Sequence, residues 1–208
     1  MKELLDLLGN LKNTELKTII NARINEFSEV KEESIDKIFK ELCFCIMTAN
    51  CSAEKCMEVH KNIGNGFLKH SEFFLAKKFK DLGYRFPNIR SKYIVKARNN
   101  INDLENKIKS NKAGNELRDW IVKNIKGIGY KEASHFLRNI GYKNYAIIDF
   151  HIVDLLVKYN LIKKPKTMTK KKYLEIEKLL KILAKKLNLS LAELDLYLWH
   201  IETGKILK

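Results

Sequence analysis

Apolar residues recur every three to four positions along most of the chain, as at Leu117, Ile121, Val122 and Ile125. This spacing places them on one face of an α-helix, and the sustained alternation typical of β-strands is hard to find. The pattern therefore predicts an all-α protein. Helices are expected near residues 2–12, 14–28, 33–49, 52–62, 71–82, 88–99, 102–110, 114–125, 131–139, 150–159, 169–187 and 191–201.

The connections between these helices are marked by helix-breaking residues. Glycines and the two prolines fall between the predicted helices, at Gly64, Gly66, Gly83, Pro87, Gly127, Gly129, Gly141 and Pro165. Ser190 followed by Glu193 fits a capping box, in which each side chain satisfies a free amide at a helix start. This pair predicts where the last helix begins.

The charge of the chain points to a polyanionic partner. Among 208 residues, 40 are Lys or Arg and 25 are Asp or Glu, which gives a formal net charge of +15. Such an excess attracts nucleic acids, and a merely soluble basic protein is the alternative. No stretch reaches the ~20 apolar residues of a membrane span, and acids interrupt the apolar N-terminus. We therefore expect a cytoplasmic protein with no membrane partner.

The four cysteines lie in one short region, at Cys43, Cys45, Cys51 and Cys56. In a reducing compartment such residues are buried thiols more often than disulfides. Their spacing lacks the paired Cys-x-x-Cys units of common zinc sites. The cysteine spacing therefore does not predict a metal site.

The most informative segment is a glycine-containing hairpin at residues 125–133, in which Gly127 and Gly129 flank Ile128 between two predicted helices. Glycine permits backbone angles that other residues rarely adopt. A turn of this kind presents backbone amides at a helix N-terminus, where they can bind a DNA phosphate without reading the sequence. A plain helix connection remains the alternative.

Lys131 follows this turn in the first turn of the second helix. The positive end of the helix dipole disfavours its ammonium form, and partial burial would disfavour it further. A neutral amine can attack an electrophilic carbon and form a Schiff base, which the charged amine cannot do. The alternative is that Lys131 contacts a phosphate.

Asp149 ends the apolar run Ala146–Ile148 and precedes another helical pattern. An Asp in this position is a favoured helix cap. The two interpretations are compatible, because a carboxylate fixed as a cap is also preorganised to stabilise a positive charge that develops nearby.

The hairpin with Lys131, the helix ending at Gly141 and the segment Ile148–His151 together resemble lysine-dependent helix-hairpin-helix DNA glycosylases. The chain is similar, nearly end to end, to the short prokaryotic and archaeal 8-oxoguanine DNA glycosylases. It departs from many relatives at Lys126, where they have proline. The iron–sulfur loop of the endonuclease III relatives is absent from the sequence.

This resemblance implies an all-α helix-hairpin-helix glycosylase fold, with two helical lobes and the active-site cleft between them. It implies a single unit over 1–208, a central lobe over approximately 31–150 and a second lobe from 1–30 and 151–208. The expected partner is double-stranded DNA containing 8-oxoguanine, bound by a monomer.

The chemistry implied by the resemblance is bifunctional and needs neither a metal nor an organic cofactor. The target nucleotide is rotated out of the duplex, because its C1′ cannot be reached within the stack. Lys131 then displaces the base at C1′, and Asp149 stabilises the developing positive charge. The resulting Schiff base acidifies the C2′ hydrogen, which permits β-elimination and strand cleavage.

Further positions resemble family residues that surround the flipped base. Asn50 matches a residue that enters the gap, Arg90 a wedge in the opposite strand and His151 a histidine near the 5′ phosphate. Phe86 and Trp199 match residues that bracket the base, since aromatic rings stack on any base. Each also has a structural alternative: a helix end for Asn50, a phosphate contact for Arg90, a buried histidine for His151 and core packing for both aromatics.

The chain ends in Lys208, as the short glycosylases end in a lysine implicated in lesion recognition. We expect its terminal carboxylate to accept a hydrogen bond from N7 of 8-oxoguanine, whereas N7 of guanine is itself an acceptor. A frayed, functionless terminus is the alternative. Two other functions stay open: a glycosylase for oxidised pyrimidines, and a non-catalytic helix-hairpin-helix DNA-binding module.

Overall fold

The computed structural model describes residues 1–110 and 115–206, and within these ranges it contains α-helices and one short 3₁₀ helix but no strand. The helices are α1 (Lys2–Leu11), α2 (Leu16–Val30), α3 (Ile35–Thr48), α4 (Ala53–Ile63), α5 (Gly66–Lys69), α6 (Glu72–Asp81), α7 (Pro87–Ala97), α8 (Ile101–Ser110), α9 (Asn115–Asn124), α10 (Tyr130–Asn139), α11 (Phe150–Lys158), α12 (Lys170–Lys186) and α13 (Leu191–Thr203). The 3₁₀ helix, Arg98–Asn100, lies between α7 and α8.

The predicted all-α class is confirmed, and the predicted helices fall within a few residues of the observed ones. The apolar period locates a helix well because one face of each helix is buried against its neighbours. The prediction missed α5, a four-residue helix bounded by Gly64 and His70. A helix this short does not complete two turns, so it leaves no periodic pattern.

Spatial contacts group the described residues into two compact units. The central unit consists of Val30–Phe136. Its middle is α3, in which every residue from Glu41 to Thr48 is buried. Helices α4, α5, α7 and α8 pack on α3, and α6 packs on α7.

The second unit, called the terminal unit, consists of Met1–Glu29 and the described residues from Leu137 onward. Helices α11 and α12 both pack on α13. The non-helical segment before α11 is fixed by α12. The Tyr173 hydroxyl donates to Ala146 O over 2.7 Å and accepts from Ile148 N over 3.2 Å, and Ala146 N donates to Glu177 Oε2 over 3.1 Å. These bonds fix the backbone that directly precedes Asp149.

Side-chain caps fix the starts of several helices. Ser52, Ser71 and Thr169 each accept a hydrogen bond from an amide in the first turn of α4, α6 and α12. Ser190 and Glu193 form both bonds of the predicted capping box at α13. Of the helices described, none is both long and apolar enough to cross a membrane.

Candidate active site

The hairpin between α9 and α10 lies in the central unit and contains both predicted turn glycines. Gly127 has φ +86°, in the left-handed region. A Cβ added to Gly127 would lie 2.2 Å from Cδ2 of Tyr93, so both the backbone angle and the close ring require glycine. Gly129 differs, because its φ is not positive and an added Cβ would lie 3.2 Å from Oε2 of Glu132.

Lys131 is the second residue of α10 and its side chain is 27% exposed. Its Nζ lies 3.2 Å from Oε1 of Glu132. The other carboxylate oxygen of Glu132 accepts a hydrogen bond from Gly129 N over 3.1 Å. Glu132 therefore contacts both the turn and the lysine. It accepts a hydrogen bond from the Gly129 amide, which is one of the turn amides expected to bind a DNA phosphate.

Sequence reasoning missed Glu132, although a signal was present. A Glu three residues after a helix cap often bonds back to the cap amide, and Gly129 and Glu132 have this spacing. The same spacing occurs at ordinary helix starts, so it does not by itself predict the contact with Lys131 that the structure shows.

The turn between α3 and α4 presents Asn50 to solvent in a left-handed conformation, with φ +61°. Asn tolerates this conformation better than most residues. Two side chains hold the preceding backbone: the Tyr84 hydroxyl donates to Met47 O over 2.7 Å, and Arg90 Nη2 donates to Ala49 O over 2.9 Å. Two hydrogen bonds thus fix the backbone just before Asn50.

Arg90 is buried, with 9% of its surface exposed. Its guanidinium lies 5.7 Å from the ring centroids of both Phe86 and Tyr93. Phe86 is half-buried just before α7, and Arg85 lies 5.0 Å from the Phe86 ring. The observed contacts of Arg90 are with the protein, and its wedge role stays a prediction.

The pKa of the Cys56 thiol is influenced by the positive charges of Lys131 and Arg90. Burial raises the pKa of the Cys56 thiol well above its ordinary value, and the neighbouring Cys51 adds to the shift. Lys131 and Arg90 both lower this pKa, so both positive charges act at the same thiol within the central unit. Cys43, Cys45 and Cys56 are buried thiols and Cys51 is half-buried, and none of the four forms a disulfide among the described residues.

In the terminal unit, Asp149 caps α11. Its Oδ1 accepts a hydrogen bond from Ile152 N over 3.0 Å, which confirms the predicted cap. The carboxylate is therefore held at the positive end of the α11 dipole.

Two aromatic candidates lie against each other in the terminal unit. The His151 ring and the Trp199 ring meet edge to face, with centroids 5.1 Å apart and planes at 85°. Phe150 stacks on His151 at 3.9 Å, and 67% of Phe150 is exposed. Trp199 Nε1 is buried and has no hydrogen-bond partner among the described residues.

Asp195 was not predicted from the sequence. Its side chain is 11% exposed, and Oδ2 lies 3.6 Å from Nη1 of Arg138. Burial, the largest influence, raises the pKa of Asp195 to about 7; the positive charge of Arg138 opposes the shift and the negative charge of Asp149 adds to it. An acid on a helix ordinarily faces solvent, so nothing local to the sequence marked this position.

The predicted residues thus divide between the units. The central unit holds Asn50, Phe86, Arg90, Gly127, Gly129 and Lys131, and the terminal unit holds Asp149, His151 and Trp199. The prediction for Lys208 lies outside the described residues. Chemically, the central unit supplies a half-buried lysine, and the terminal unit supplies a fixed carboxylate and aromatic rings.

Comparison with known proteins identifies a common family. A family model described as 8-oxoguanine DNA glycosylase matches residues 20–189. A relative from Methanocaldococcus jannaschii, named 8-oxoguanine DNA glycosylase/AP lyase, is 50% identical over 208 residues and covers 99% of each chain. A relative of the same name from Korarchaeum cryptofilum is 47% identical over 207 residues, which is 99% of this chain and 98% of the relative.

Solved structures show the same similarity. The M. jannaschii 8-oxoguanine glycosylase/lyase, in complex with a 15mer DNA containing 8-oxoguanine, superposes with a TM-score of 0.96 at 48% identity and covers 99% of this chain and 100% of its own. The 8-oxoguanine DNA glycosylase of Thermotoga maritima gives a TM-score of 0.92 at 39% identity, with 100% and 99% of the two chains covered.

Proposed function

The chain belongs to the 8-oxoguanine DNA glycosylase family, and from this premise we propose that it excises 8-oxoguanine from DNA through Lys131 and then cleaves the strand. One observation carries the proposal. Lys131 is a half-buried lysine at the start of the helix after the hairpin, in a chain 48% identical to a glycosylase/lyase solved with 8-oxoguanine DNA.

DNA binding begins with charge. The net charge of +15 favours association with the phosphate backbone, which carries no sequence information by itself. The hairpin around Gly127 and Gly129 contacts a phosphate near the lesion, and His151 contacts the phosphate on its 5′ side. The damaged nucleotide leaves the stack, because C1′ is otherwise shielded.

The first chemical step is displacement of the base. After Lys131 gives up a proton, its Nζ forms a bond to C1′ while the bond from C1′ to N9 breaks, and the departing base takes the bonding electrons and then a proton. Positive charge develops on the sugar as the base leaves, and the carboxylate of Asp149 stabilises it. Because Asp149 is held by Ile152 N, it need not reorient during the reaction.

The second step cleaves the strand. Opening of the sugar ring converts the C1′ adduct into a protonated Schiff base, which acidifies the C2′ hydrogen. Loss of this proton to a base allows the C3′–O3′ bond to break, with the electron pair leaving on the phosphate oxygen. Water then hydrolyses the Schiff base and regenerates the Lys131 amine.

The remaining predicted residues act on the flipped base and the gap it leaves. Phe86 and Trp199 stack on the base, Asn50 bonds the orphaned partner and Arg90 supports the Asn50 turn while facing the opposite strand. The terminal carboxylate of Lys208 accepts the N7 hydrogen that distinguishes 8-oxoguanine from guanine. We also propose that the protein works in the cytoplasm, where its DNA substrate is accessible.

Excision and nicking assays test this function. With a duplex containing 8-oxoguanine, the wild type is expected to release the base and nick the strand without added alkali. Lys131→Gln should lose both activities by about a thousandfold or more, because the nucleophile is removed. The matched control is Lys185→Gln, an exposed lysine on α12 outside the hairpin, which should stay within about threefold of wild type. Wild-type excision by Lys131→Gln would refute the proposal.

A further inference from the structure

Asp195 is a buried acid for which the proposed chemistry has no role. It lies on α13, and Asp149 acts on it from the start of α11, while Arg138 approaches it from α10. From α12, the aliphatic Leu180 lines a small cavity together with Asp195. Among the described residues, Arg138 and Asp149 are thus the charged groups that act on this carboxyl.

The surroundings of Asp195 are otherwise apolar. It lines a small cavity with a volume of about 10 Å³, and its companions there are aliphatic: Ala146, Ile147, Ile152, Leu180, Leu191, Leu194 and Leu198. Ile147 and Ile152 flank Asp149 along the chain, so the cavity wall is continuous with the segment that carries the catalytic carboxylate. With few polar groups nearby, a charge on Asp195 is poorly screened and acts over a longer distance than it would in water.

From this geometry we propose that Asp195 is a positioning residue that acts through Asp149, adding a second negative charge beside it when ionised. This inference rests on the proposed function, in which Asp149 stabilises positive charge on the sugar. The second charge deepens the negative potential at that place, so the ionised form of Asp195 accelerates base excision.

The ionisation falls within the working pH range. An isolated Asp titrates near pH 4 and would stay charged throughout. In this chain burial raises the pKa of Asp195 to about 7, so its carboxyl is neutral below that pH and charged above it. Excision is therefore expected to accelerate as the pH rises through about 7. Arg138, which is itself 4% exposed, offsets part of the burial and keeps the ionised form accessible.

Single-turnover excision of 8-oxoguanine, measured between about pH 5 and about pH 9, tests the proposal. Asp195→Asn should be slower than wild type by about tenfold at about pH 8 and nearly unchanged at about pH 6, since it fixes the neutral state. Asp195→Glu should restore the rise in excision rate near pH 7, because it keeps an ionisable carboxyl at this position. Asp154→Asn, an exposed acid on α11, is the matched control and should keep the wild-type profile.

The outcomes separate this inference from the proposed function. The role of Asp195 would be overturned if Asp195→Asn lost excision equally at every pH, or if its excision rate still rose near pH 7 as in the wild type. Excision by the wild type would remain in both cases. Absence of excision in the wild type would instead overturn the proposed function.

A second measurement does not depend on the folding of Asp195→Asn. Carboxyl ¹³C NMR of the wild type should show an Asp resonance that titrates near pH 7. In Asp149→Asn its midpoint should fall, because the Asp149 charge raises the pKa of Asp195. An unchanged midpoint would show that the two carboxyls do not interact and would overturn the inference.

Discussion

The N-termini of α10 and α11 place charges of opposite sign at equivalent ends of a helix. Asp149 caps α11, where its negative charge meets the positive end of the dipole and its oxygen satisfies Ile152 N. Lys131 stands in the first turn of α10, where the dipole opposes its positive charge. The stability of the helix explains the position of Asp149 but not the position of Lys131.

This contrast teaches how to separate function from folding at a helix start. An acid at a cap stabilises its helix whether or not it does chemistry, so its presence is weak evidence for catalysis. A lysine in the first turn costs stability unless a neighbour offsets it, and Glu132 is that neighbour. The unfavourable residue is therefore the stronger indication of a functional site.

The largest expected effect comes from removing the charge of Asp149 while its helix cap is kept. Asp149→Asn keeps a good capping side chain but removes the charge, so stability should hardly change. Excision should fall by about 10²- to 10³-fold, while binding to an abasic-site duplex stays equal or becomes tighter. Thermal unfolding, single-turnover kinetics and a binding titration measure the three quantities. Equal losses in excision and in binding would show that Asp149 acts through DNA binding and not through its charge at the reacting sugar.

The next effect concerns the turn that positions Lys131. Gly127→Ala should destabilise the protein by about 2–3 kcal/mol, because the new Cβ meets the Tyr93 ring and the backbone is left-handed. Gly9→Ala is the matched control: its Cβ meets nothing within 4 Å, and alanine in the interior of α1 should stabilise by about 0.5–1 kcal/mol. Denaturant unfolding compares them, and equal midpoints would contradict the observed turn.

The smallest effect compares two caps with different roles. Asp149→Ala and Thr169→Ala each remove a side-chain acceptor from a helix start and should each cost about 1 kcal/mol of stability. Only Asp149→Ala should lose excision, because the Thr169 cap has no proposed part in the chemistry. If Thr169→Ala loses as much excision as Asp149→Ala at a temperature where both are folded, the loss reflects capping and not charge.

The same comparison shows what the sequence could predict. The helices, the Asp149 cap and the Ser190 capping box follow from neighbours within a few residues, so their patterns are visible in the chain itself. Gly127 was also predicted as a turn residue, but its requirement depends partly on the Tyr93 ring, which lies 34 positions earlier and is not marked by any local pattern.

The burial of charged residues could not be predicted, because it depends on tertiary packing. Arg90 reads as a solvent-facing helix residue, yet it is buried and bonded to Ala49 O. Asp195 reads as an ordinary surface acid, yet packing of α10, α11 and α12 surrounds it with Arg138, Asp149 and aliphatic side chains. The sequence therefore located the residues proposed for catalysis better than the residues that support them.

The most direct test of the central claim is covalent trapping of the Schiff base. The wild type is mixed with an 8-oxoguanine duplex and sodium borohydride, and the adduct is located by peptide mass spectrometry. Reduction of an imine fixes the attacking amine to C1′, so the account predicts one stable adduct, carried by the peptide that contains Lys131, and none with Lys131→Gln. An adduct on another amine, or wild-type excision without any trapped adduct, would contradict Lys131 as the nucleophile.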